Sequence, residues 1–252
     1  MEQKGKFILL NRDEFKNWLF SNTFSREITF IQNHHTWKPN YSSFKNKNYF
    51  TLLQNMEAYH VGLKWGQIAQ NITTFPDGII AICRSFDIRP TCIANKNQGG
   101  LCIENLGNFD KDGDKMTEEH KTSIIWTNAL LCVKFRLNPD TDDIVYHHWY
   151  SPKSCPGNNF FGGNTREDAQ KNFLPLVMKQ IQEINKDNVL KGTVFVHPKD
   201  KLNVRSGPGA QYAILRALEK GEEVIIKDIK NGWYKISDSD EWVSGKFVKF
   251  NT

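Results

Sequence analysis

The residues best suited to chemistry lie in one segment, Tyr146–Gly157, with the sequence YHHWYSPKSCPG. Within it, His147 lies eight positions before Cys155, and Lys153 lies two positions before that cysteine. Neutral imidazole and thiolate groups both bind zinc, and a thiolate in a basic environment can also act as a nucleophile. Three interpretations of the segment therefore compete: a structural turn, a cysteine nucleophile, and part of a metal site.

A hydrolytic zinc site uses three protein ligands and keeps a fourth position open. The missing imidazole could come from His34 or His35, which end an alternating apolar run, ITFIQNHHTW. Because side chains alternate along a strand, at least one of this pair should point off the sheet. Two strand ends that carry histidine, and a cysteine on a loop, could meet at one rim of a parallel or mixed sheet. We expect a zinc site there, with His35 and His148 as ordinary core or rim residues.

The other chemistries fit the spacing less well. A Cys–His peptidase needs a base near its thiolate, but the histidine that follows Cys155 is His197, in a segment of different character. Cys102 precedes His147 but lies in an apolar strand, where a thiol is usually an inert core residue. A nucleoside-deaminase site needs a second cysteine three positions on, and a blue-copper site needs a methionine soon after the cysteine, whereas the next one is Met178.

The composition is that of an ordinary globular protein: 252 residues, 39% hydrophobic and 24% charged, with a net charge of +5. Apolar runs are too short for membrane insertion, and the N-terminal sequence has no signal-peptide core, so we expect a soluble protein made in the cytoplasm. Basic residues are scattered through Asn-rich loops, which argues against a nucleic acid partner. Five cysteines, an odd number at low density, predict reduced thiols.

The chain divides into two parts with different sequence patterns. Residues 1–185 interleave strand and helix patterns, which predicts an α/β domain. Strands are expected in EITFIQNHH, GIIAICRSF, GGLCIENLG and DDIVYHH, and helices in RDEFKNWLF, TEEHKTSIIWTNALLCVKF and TREDAQKNFLPLVMKQIQEI. Thr165 should cap the last helix and Pro175 should interrupt it. After a linker at 186–192, residues 193–252 show short alternating strands, which predicts a small all-β barrel.

Four segments, in order, resemble the zinc N-acetylmuramoyl-L-alanine amidases shared by phage endolysins, bacterial autolysins and peptidoglycan-recognition proteins: HHTW, WGQIAQNITTFPDGII, GGLCIENLGNFD and YHHWYSPKSCPG. The resemblance implies a mixed central β-sheet flanked by helices, and hydrolysis of the amide between N-acetylmuramic acid and L-alanine in bacterial peptidoglycan. Residues 193–250 resemble a bacterial SH3 domain through LNVRSGPGAQYAILRALEKGEEV, NGWYKI and WVSGKFV. That second resemblance implies a module that anchors the enzyme to the cell wall.

The amidase resemblance also implies roles for single residues. The family's Zn²⁺ ligands correspond to three residues of this chain, His34, His147 and Cys155. Lys153 matches a lysine thought to stabilise the oxyanion. Many members carry tyrosine where this chain has Gln70, so Gln70 is a substrate-binding candidate for which a tyrosine role cannot be assumed. Glu104 matches a glutamate of other lysins.

In the implied mechanism, zinc activates a water molecule and Glu104 acts as general acid/base, because its strand neighbours should desolvate it and raise its pKa. The alternatives are a salt bridge between Glu104 and a basic residue such as Arg84, and an exposed Lys153 without a catalytic role. A non-catalytic peptidoglycan receptor is the rival function, but such receptors commonly lose the cysteine that this chain keeps. The missing signal peptide favours a phage endolysin, released through a membrane pore, over a bacterial autolysin.

Two further segments lead to expectations. NFDKDGDKMTEE approaches the spacing of a calcium-binding EF-hand loop, but Asn108 and Lys115 depart from it, so we interpret it as a turn into a helix capped by Thr117. In the barrel, which we expect to fold alone within a monomeric protein, Trp233 or Trp242 should pack in the core. The wall-binding residues are expected among two tyrosines, Tyr212 and Tyr234.

Overall fold

The computed structural model describes residues 1–184, 191–230 and 232–250. The chain forms two compact units, Met1–Asn128 with Thr141–Phe173, and Ala129–Asp140 with Leu174–Thr252. Of the predicted linker at 186–192, residues 186–190 lie outside the described residues.

A seven-stranded sheet forms the centre of the first unit. Its strands are β1 (Glu2–Lys4), β2 (Phe7–Leu10), β3 (Phe30–His35), β4 (Ile72–Thr74), β5 (Ile80–Ile82), β6 (Gly100–Asn105) and β7 (Ile144–Tyr146). They lie in the order β1-β2-β5-β4-β6-β3-β7. The pairs β1-β2, β2-β5 and β5-β4 are antiparallel. The pairs β4-β6, β6-β3 and β3-β7 are parallel. The predicted mixed sheet is confirmed.

All three helices that the sequence predicts are present, among five α-helices in the described residues. The five are α1 (Arg12–Ser21), α2 (Tyr49–Gly62), α3 (Glu118–Phe135), α4 (Arg166–Asp168) and α5 (Leu174–Ile184). Thr165 caps α4 as predicted, by accepting the Asp168 N–H at 3.1 Å. A π-helical turn at Ala169–Phe173 separates α4 from α5. This irregularity lies just ahead of Pro175, which has no N–H to donate and so cannot continue a regular pattern of hydrogen bonds. Within the described residues, no helix combines the length and the apolarity that crossing a membrane would require.

Strand β3 lies between β6 and β7 and is buried along its whole length. Asn33, on this strand, exchanges two amide hydrogen bonds with Asn128 on α3, at 2.8 and 3.2 Å, and Asn128 also donates to the Ile124 carbonyl at 2.9 Å. A buried amide costs little free energy when its donors and acceptors are satisfied in this way. The pair therefore fixes β3 against the helix immediately before His34.

Two of the five cysteines are oxidised, which corrects the expectation of reduced thiols. Cys92 and Cys102 form a disulfide across a sequence separation of 10 residues. The remaining three, Cys83, Cys132 and Cys155, are buried and take no part in this disulfide. Sequence reasoning judged Cys102 by its apolar strand alone, whereas the loop before β6 brings Cys92 against it.

Strands dominate the second unit, and the predicted all-β region is confirmed. They are β8 (Lys191–Val194), β9 (Leu202–Arg205), β10 (Ile214–Leu218), β11 (Glu223–Ile225), β12 (Asp228–Lys230), β13 (Trp233–Lys235), β14 (Trp242–Ser244) and β15 (Val248–Phe250). They make a five-stranded sheet, β10-β9-β14-β13-β12, and a three-stranded sheet, β11-β8-β15. The apolar side chains between them form one small core.

The aromatic residues of the barrel divide between core and surface. Tyr234 is 1% exposed, its ring stacks on Phe250 at 5.5 Å, and its hydroxyl donates to Asn138 in the same unit at 2.7 Å. Trp242 is also buried, whereas Tyr212 is 40% exposed. Because a ligand needs an accessible ring face, Tyr234 serves packing in this structure, and of the two tyrosines only Tyr212 offers a surface.

Candidate active site

Three parallel strands end at the same edge of the sheet and bring the polar residues together. His34 lies at the end of β3, and Glu104 is its partner in the register on β6. On the other side of β3, Asn33 pairs with Tyr146, so that His147 follows directly after β7. The carboxyl ends of parallel strands are a common place for functional groups, because the loops that follow them start there.

The side chains of His34, His147 and Cys155 meet at this edge. The distance from His34 Nδ1 to Cys155 Sγ is 3.5 Å, and the ring centroids of the two histidines are 4.7 Å apart. One ligand atom from each residue lies within 4.8 Å of the others. Ligand atoms of a tetrahedral zinc site are about 3.5 Å apart, given bond lengths of about 2.0–2.3 Å. The cluster is therefore close to the size that a zinc ion requires.

Burial sets the protonation of this cluster. It lowers the pKa of His147 to about 4, and it lowers the pKa of His34 well below the usual value, with further lowering by the neighbouring His147. Both imidazoles are therefore neutral at pH 7, which is the form that binds metals. Burial also raises the pKa of the Cys155 thiol well above its usual value. A bound cation would reverse this, since a coordinating thiol loses its proton.

The second histidine of each pair has a structural partner. His35 Nδ1 accepts the Phe109 N–H at 3.1 Å, and its own backbone N–H donates to Cys155 Sγ at 3.4 Å. His148 donates from Nδ1 to the Lys153 carbonyl at 2.6 Å and from its backbone N–H to the Cys155 carbonyl at 2.6 Å. These two histidines therefore hold the loop that carries Cys155.

Glu104 and Lys153 lie beside the cluster. Glu104 Oε1 is 3.9 Å from His34 Nδ1, and burial raises the pKa of Glu104 to about 8 even though the charge of Lys153 acts to lower it. Arg84, the alternative partner considered for Glu104, instead donates to the carbonyls of Ile68 and Arg89, at 2.7 and 2.6 Å. The Lys153 side chain is exposed, and its charge also lowers the pKa of His34.

A cavity of about 480 Å³ opens next to Glu104. Its lining includes Gln70, Thr36 and Lys38 together with Tyr59 and His60 of α2. Gln70 is fully buried, and its Nε2 donates to Thr73 Oγ1 at 2.9 Å while its Oε1 has no hydrogen-bond partner among the described residues. A carboxyl group of raised pKa at the wall of a cavity is a typical position for acid–base chemistry.

The segment that resembles an EF-hand forms a turn, which is held by hydrogen bonds from backbone N–H groups to the Asp114 carboxylate. Asp114 Oδ2 accepts the N–H groups of Asn108 at 2.8 Å and Tyr41 at 3.1 Å. The chain then enters α3, and Thr117 Oγ1 accepts the His120 N–H at 3.2 Å, as expected of an N-cap. The acidic side chain of Asp114 is thus committed to backbone donors.

The N-acetylmuramoyl-L-alanine amidase family model matches residues 24–158, which is more than half of the chain. The chain belongs to this family. The matched region contains the histidine and cysteine cluster, Glu104 and Lys153, and the cavity beside them. The model for the bacterial SH3 domain matches residues 200–249 of the chain, so the predicted SH3 resemblance of the tail is confirmed.

Solved structures also show similarity to part of the chain, at low sequence identity. The N-acetylmuramoyl-L-alanine amidase LysC from Clostridium intestinale is 22% identical with a TM-score of 0.47, and the match covers 58% of this chain and 85% of LysC. Wild-type PGRP-LB from Drosophila is 17% identical with a TM-score of 0.48, covering 56% and 81% of the two chains. No curated protein sequence matches the chain.

Sequence reasoning missed several residues around the site. The α2 side chains that line the cavity, Tyr59 and His60, lie in a helix that the apolar pattern did not predict. Asn105, directly after Glu104, donates to the His34 carbonyl at 2.7 Å. Its position at the end of a predicted strand, beside a candidate catalytic residue, was the available signal.

Proposed function

We propose that the protein is a zinc-dependent peptidoglycan hydrolase that cleaves the amide bond between N-acetylmuramic acid and L-alanine. The observation that carries the proposal is the convergence of His34, His147 and Cys155 at one sheet edge, within a region that the amidase family model matches. Two imidazoles and one thiol make up a catalytic type of zinc site, which keeps one position open.

The donor set fits Zn²⁺. The two histidines are neutral without any change of protonation, and the 3.5 Å between His34 Nδ1 and Cys155 Sγ matches a tetrahedral ligand pair. The His35 N–H donates to Cys155 Sγ, which stabilises the thiolate form. A zinc ion bound here would supply Lewis acidity and lower the pKa of a water molecule.

Glu104 is the residue we propose to move the proton. Its pKa of about 8 lies near neutrality, so the carboxyl group can both give up and take back a proton in the working range. An amide needs this help because its leaving amine must be protonated before it departs. Glu104 lines the cavity, which places the carboxyl group where a substrate would lie.

Lys153 is proposed to stabilise the negative charge that develops on the carbonyl oxygen. Its charge reaches the site, since it lowers the pKa values of His34, His147 and Glu104. The hydrogen bond from His148 to the Lys153 carbonyl fixes the backbone of this residue and leaves the ammonium group exposed to a substrate. Gln70 and Lys38 are proposed to line the substrate site from the cavity wall.

The barrel is proposed to bind the cell wall, and we infer that the whole chain acts as an endolysin. An anchored enzyme gains effective concentration at an insoluble substrate. A bacterial autolysin of the same chemistry would share every feature of this site.

Digestion of purified peptidoglycan tests the proposal. The expected products carry new amino termini on L-alanine and no new reducing sugar ends. Cys155→Ser should abolish cleavage and zinc content together, whereas Cys83→Ser removes a buried free thiol outside the cluster and should preserve both. New reducing ends would identify a glycosidase, and new amino termini on another residue would identify a peptidase.

A further inference from the structure

A buried chain of hydrogen bonds runs from the start of α3 to the backbone of His34. Tyr41 bonds to His120 Nδ1 at 2.8 Å, and His120 Nε2 bonds to Thr74 Oγ1 at 2.8 Å. Thr74 Oγ1 bonds to Asn105 Oδ1 at 2.7 Å, and Asn105 Nδ2 bonds to the His34 carbonyl at 2.7 Å. His120, Thr74 and Asn105 are fully buried.

Each bond in this buried hydrogen-bond chain has one possible direction. The His34 carbonyl accepts from the Asn105 amide nitrogen, so Asn105 Oδ1 is the acceptor for the Thr74 hydroxyl. Thr74 Oγ1 must then accept from His120, whose Nε2 carries the proton. The other nitrogen, Nδ1, is left as the acceptor for the Tyr41 hydroxyl, and the Tyr41 oxygen accepts the Thr117 N–H at 3.3 Å. These hydrogen bonds can all form only when His120 is neutral and carries its proton on Nε2.

The last acceptor belongs to the peptide group that joins His34 to His35. The carbonyl of this peptide accepts from Asn105, and its N–H donates to Cys155 Sγ at 3.4 Å. A peptide group is planar, so holding its carbonyl also aims its N–H. The buried hydrogen-bond chain therefore reaches two members of the cluster through one rigid unit: it orients the strand end that carries His34, and it directs a donor at the sulfur of Cys155.

We propose that His120, acting through Thr74 and Asn105, is a positioning residue that holds the His34–His35 peptide in place for metal binding by His34 and Cys155. This inference rests on the proposed function, because it concerns the same zinc site. Removal of a residue that hydrogen-bonds to a metal ligand typically lowers metal affinity by about 10- to 100-fold.

Two substitutions at one position separate the positioning role from packing. In His120→Gln, the amide nitrogen can take the place of Nε2 and still donate to Thr74. In His120→Asn, the shorter side chain cannot reach Thr74, and the buried hydrogen-bond chain is broken. Ser123→Ala is the matched control, since Ser123 lies on the same helix and donates to the Gly78 carbonyl at 2.8 Å, outside the chain of bonds.

The measurements are Co²⁺ affinity, by competition with a chelator, and the thiolate-to-cobalt absorption band of the full-length protein. His120→Asn should weaken Co²⁺ binding about tenfold or more and shift the band, while His120→Gln and Ser123→Ala stay within about threefold of wild type. Thr74→Val, which removes the hydroxyl that joins His120 to Asn105, should reproduce the loss, and combining it with His120→Asn should add little.

Equal Co²⁺ affinity and an unchanged band in a folded His120→Asn or Thr74→Val protein would overturn the inference and leave the zinc site intact. Additive losses in the double variant would overturn it as well, because independent effects are not those of one chain. If wild type itself failed to bind Co²⁺ or Zn²⁺, the proposed function would fall, and the inference with it.

Discussion

At the scale of single residues, the site depends on which member of each histidine pair faces the cluster. His34 and His147 approach Cys155, while His35 and His148 bond to the backbone around it. The sequence led to the expectation that one histidine of each pair lies outside the cluster, and for His34 and His35 the reason was that neighbours on a strand point to opposite faces. It did not indicate that the second histidines hold the cysteine loop.

Glu104→Gln tests the proposed acid–base residue. Because the pKa of Glu104 is about 8, its carboxyl group is mostly neutral at pH 7, and a neutral amide of the same shape should fit without loss of fold. The amide cannot exchange a proton, so we expect the turnover rate to fall by about 10²- to 10⁴-fold. Zinc content, measured on the same preparation, should stay at the wild-type level.

Glu57→Gln provides the control for that experiment, since Glu57 pairs with Lys6 and is absent from the lining of the cavity. It removes a carboxylate and should leave turnover unchanged. A Glu104→Gln enzyme as fast as Glu57→Gln would exclude Glu104 as the proton carrier.

At the scale of elements, the sequence predicted the strands and helices that bring the cluster together but not those that enclose it. The apolar runs of β3, β6 and β7 are strong signals, and parallel pairing then places their ends at one edge. In α2, YFTLLQNMEAYHVG, apolar residues are spread around the helix and no single stripe stands out. Short strands such as β4 owe their existence to pairing partners, so local pattern alone could not predict them.

The buried hydrogen-bond chain could not be predicted either, because its members are spread from Tyr41 to His120 and share no spacing. Only the fold brings them together. The disulfide is a similar case, since two cysteines ten residues apart are compatible with a bond, with a metal site or with free thiols. Contacts of this kind depend on the fold, so a local sequence pattern does not predict them.

The pH dependence of stability tests the neutral state of His120. Burial lowers its pKa to about 3, with Tyr41, Thr74 and the Phe109 ring around it, and Asp114 bonded to the Tyr41 backbone. Between pH 6.5 and 3 the unfolded chain binds a proton at His120 that the folded chain does not. His120 therefore contributes full stability above pH 6.5, and loses it as the pH falls.

From pH 7 to pH 4.5, this effect should lower the free energy of unfolding of the metal-free protein by about 2–3 kcal/mol more in wild type than in His120→Gln. Denaturant unfolding at the two pH values measures it, and Ser123→Ala should follow wild type. Parallel pH profiles for wild type and His120→Gln would mean that His120 does not stay neutral in the folded state.

At the scale of the whole molecule, an amidase region and a bacterial SH3 domain share one chain. Under the proposed function the substrate is an insoluble polymer, so a second contact with the wall would raise the local concentration of the active site without any change in its chemistry. The structure qualifies the expectation that the barrel folds alone, because residues 129–140 and α5 belong to the same compact unit as the barrel. A point substitution in the full chain is therefore a cleaner test of wall binding than removal of the tail.

Tyr212→Ala is that substitution. The ring of Tyr212 is exposed and lies over Gly207, where even a Cβ atom would collide with it, and Arg205 Nη1 donates to the Tyr212 carbonyl at 2.8 Å. An aromatic ring held in this way loses little entropy on binding. We expect about tenfold weaker binding to purified walls and slower lysis at low enzyme concentration, with unchanged cleavage of soluble muropeptides, because the site at the β3 edge is untouched.

Phe247→Ala, at another exposed aromatic of the barrel, controls for general loss of apolar surface. Wall binding that survives Tyr212→Ala at physiological salt would place the anchor on another surface, and a matching loss in soluble cleavage would show that the substitution acts through the fold and not through the wall.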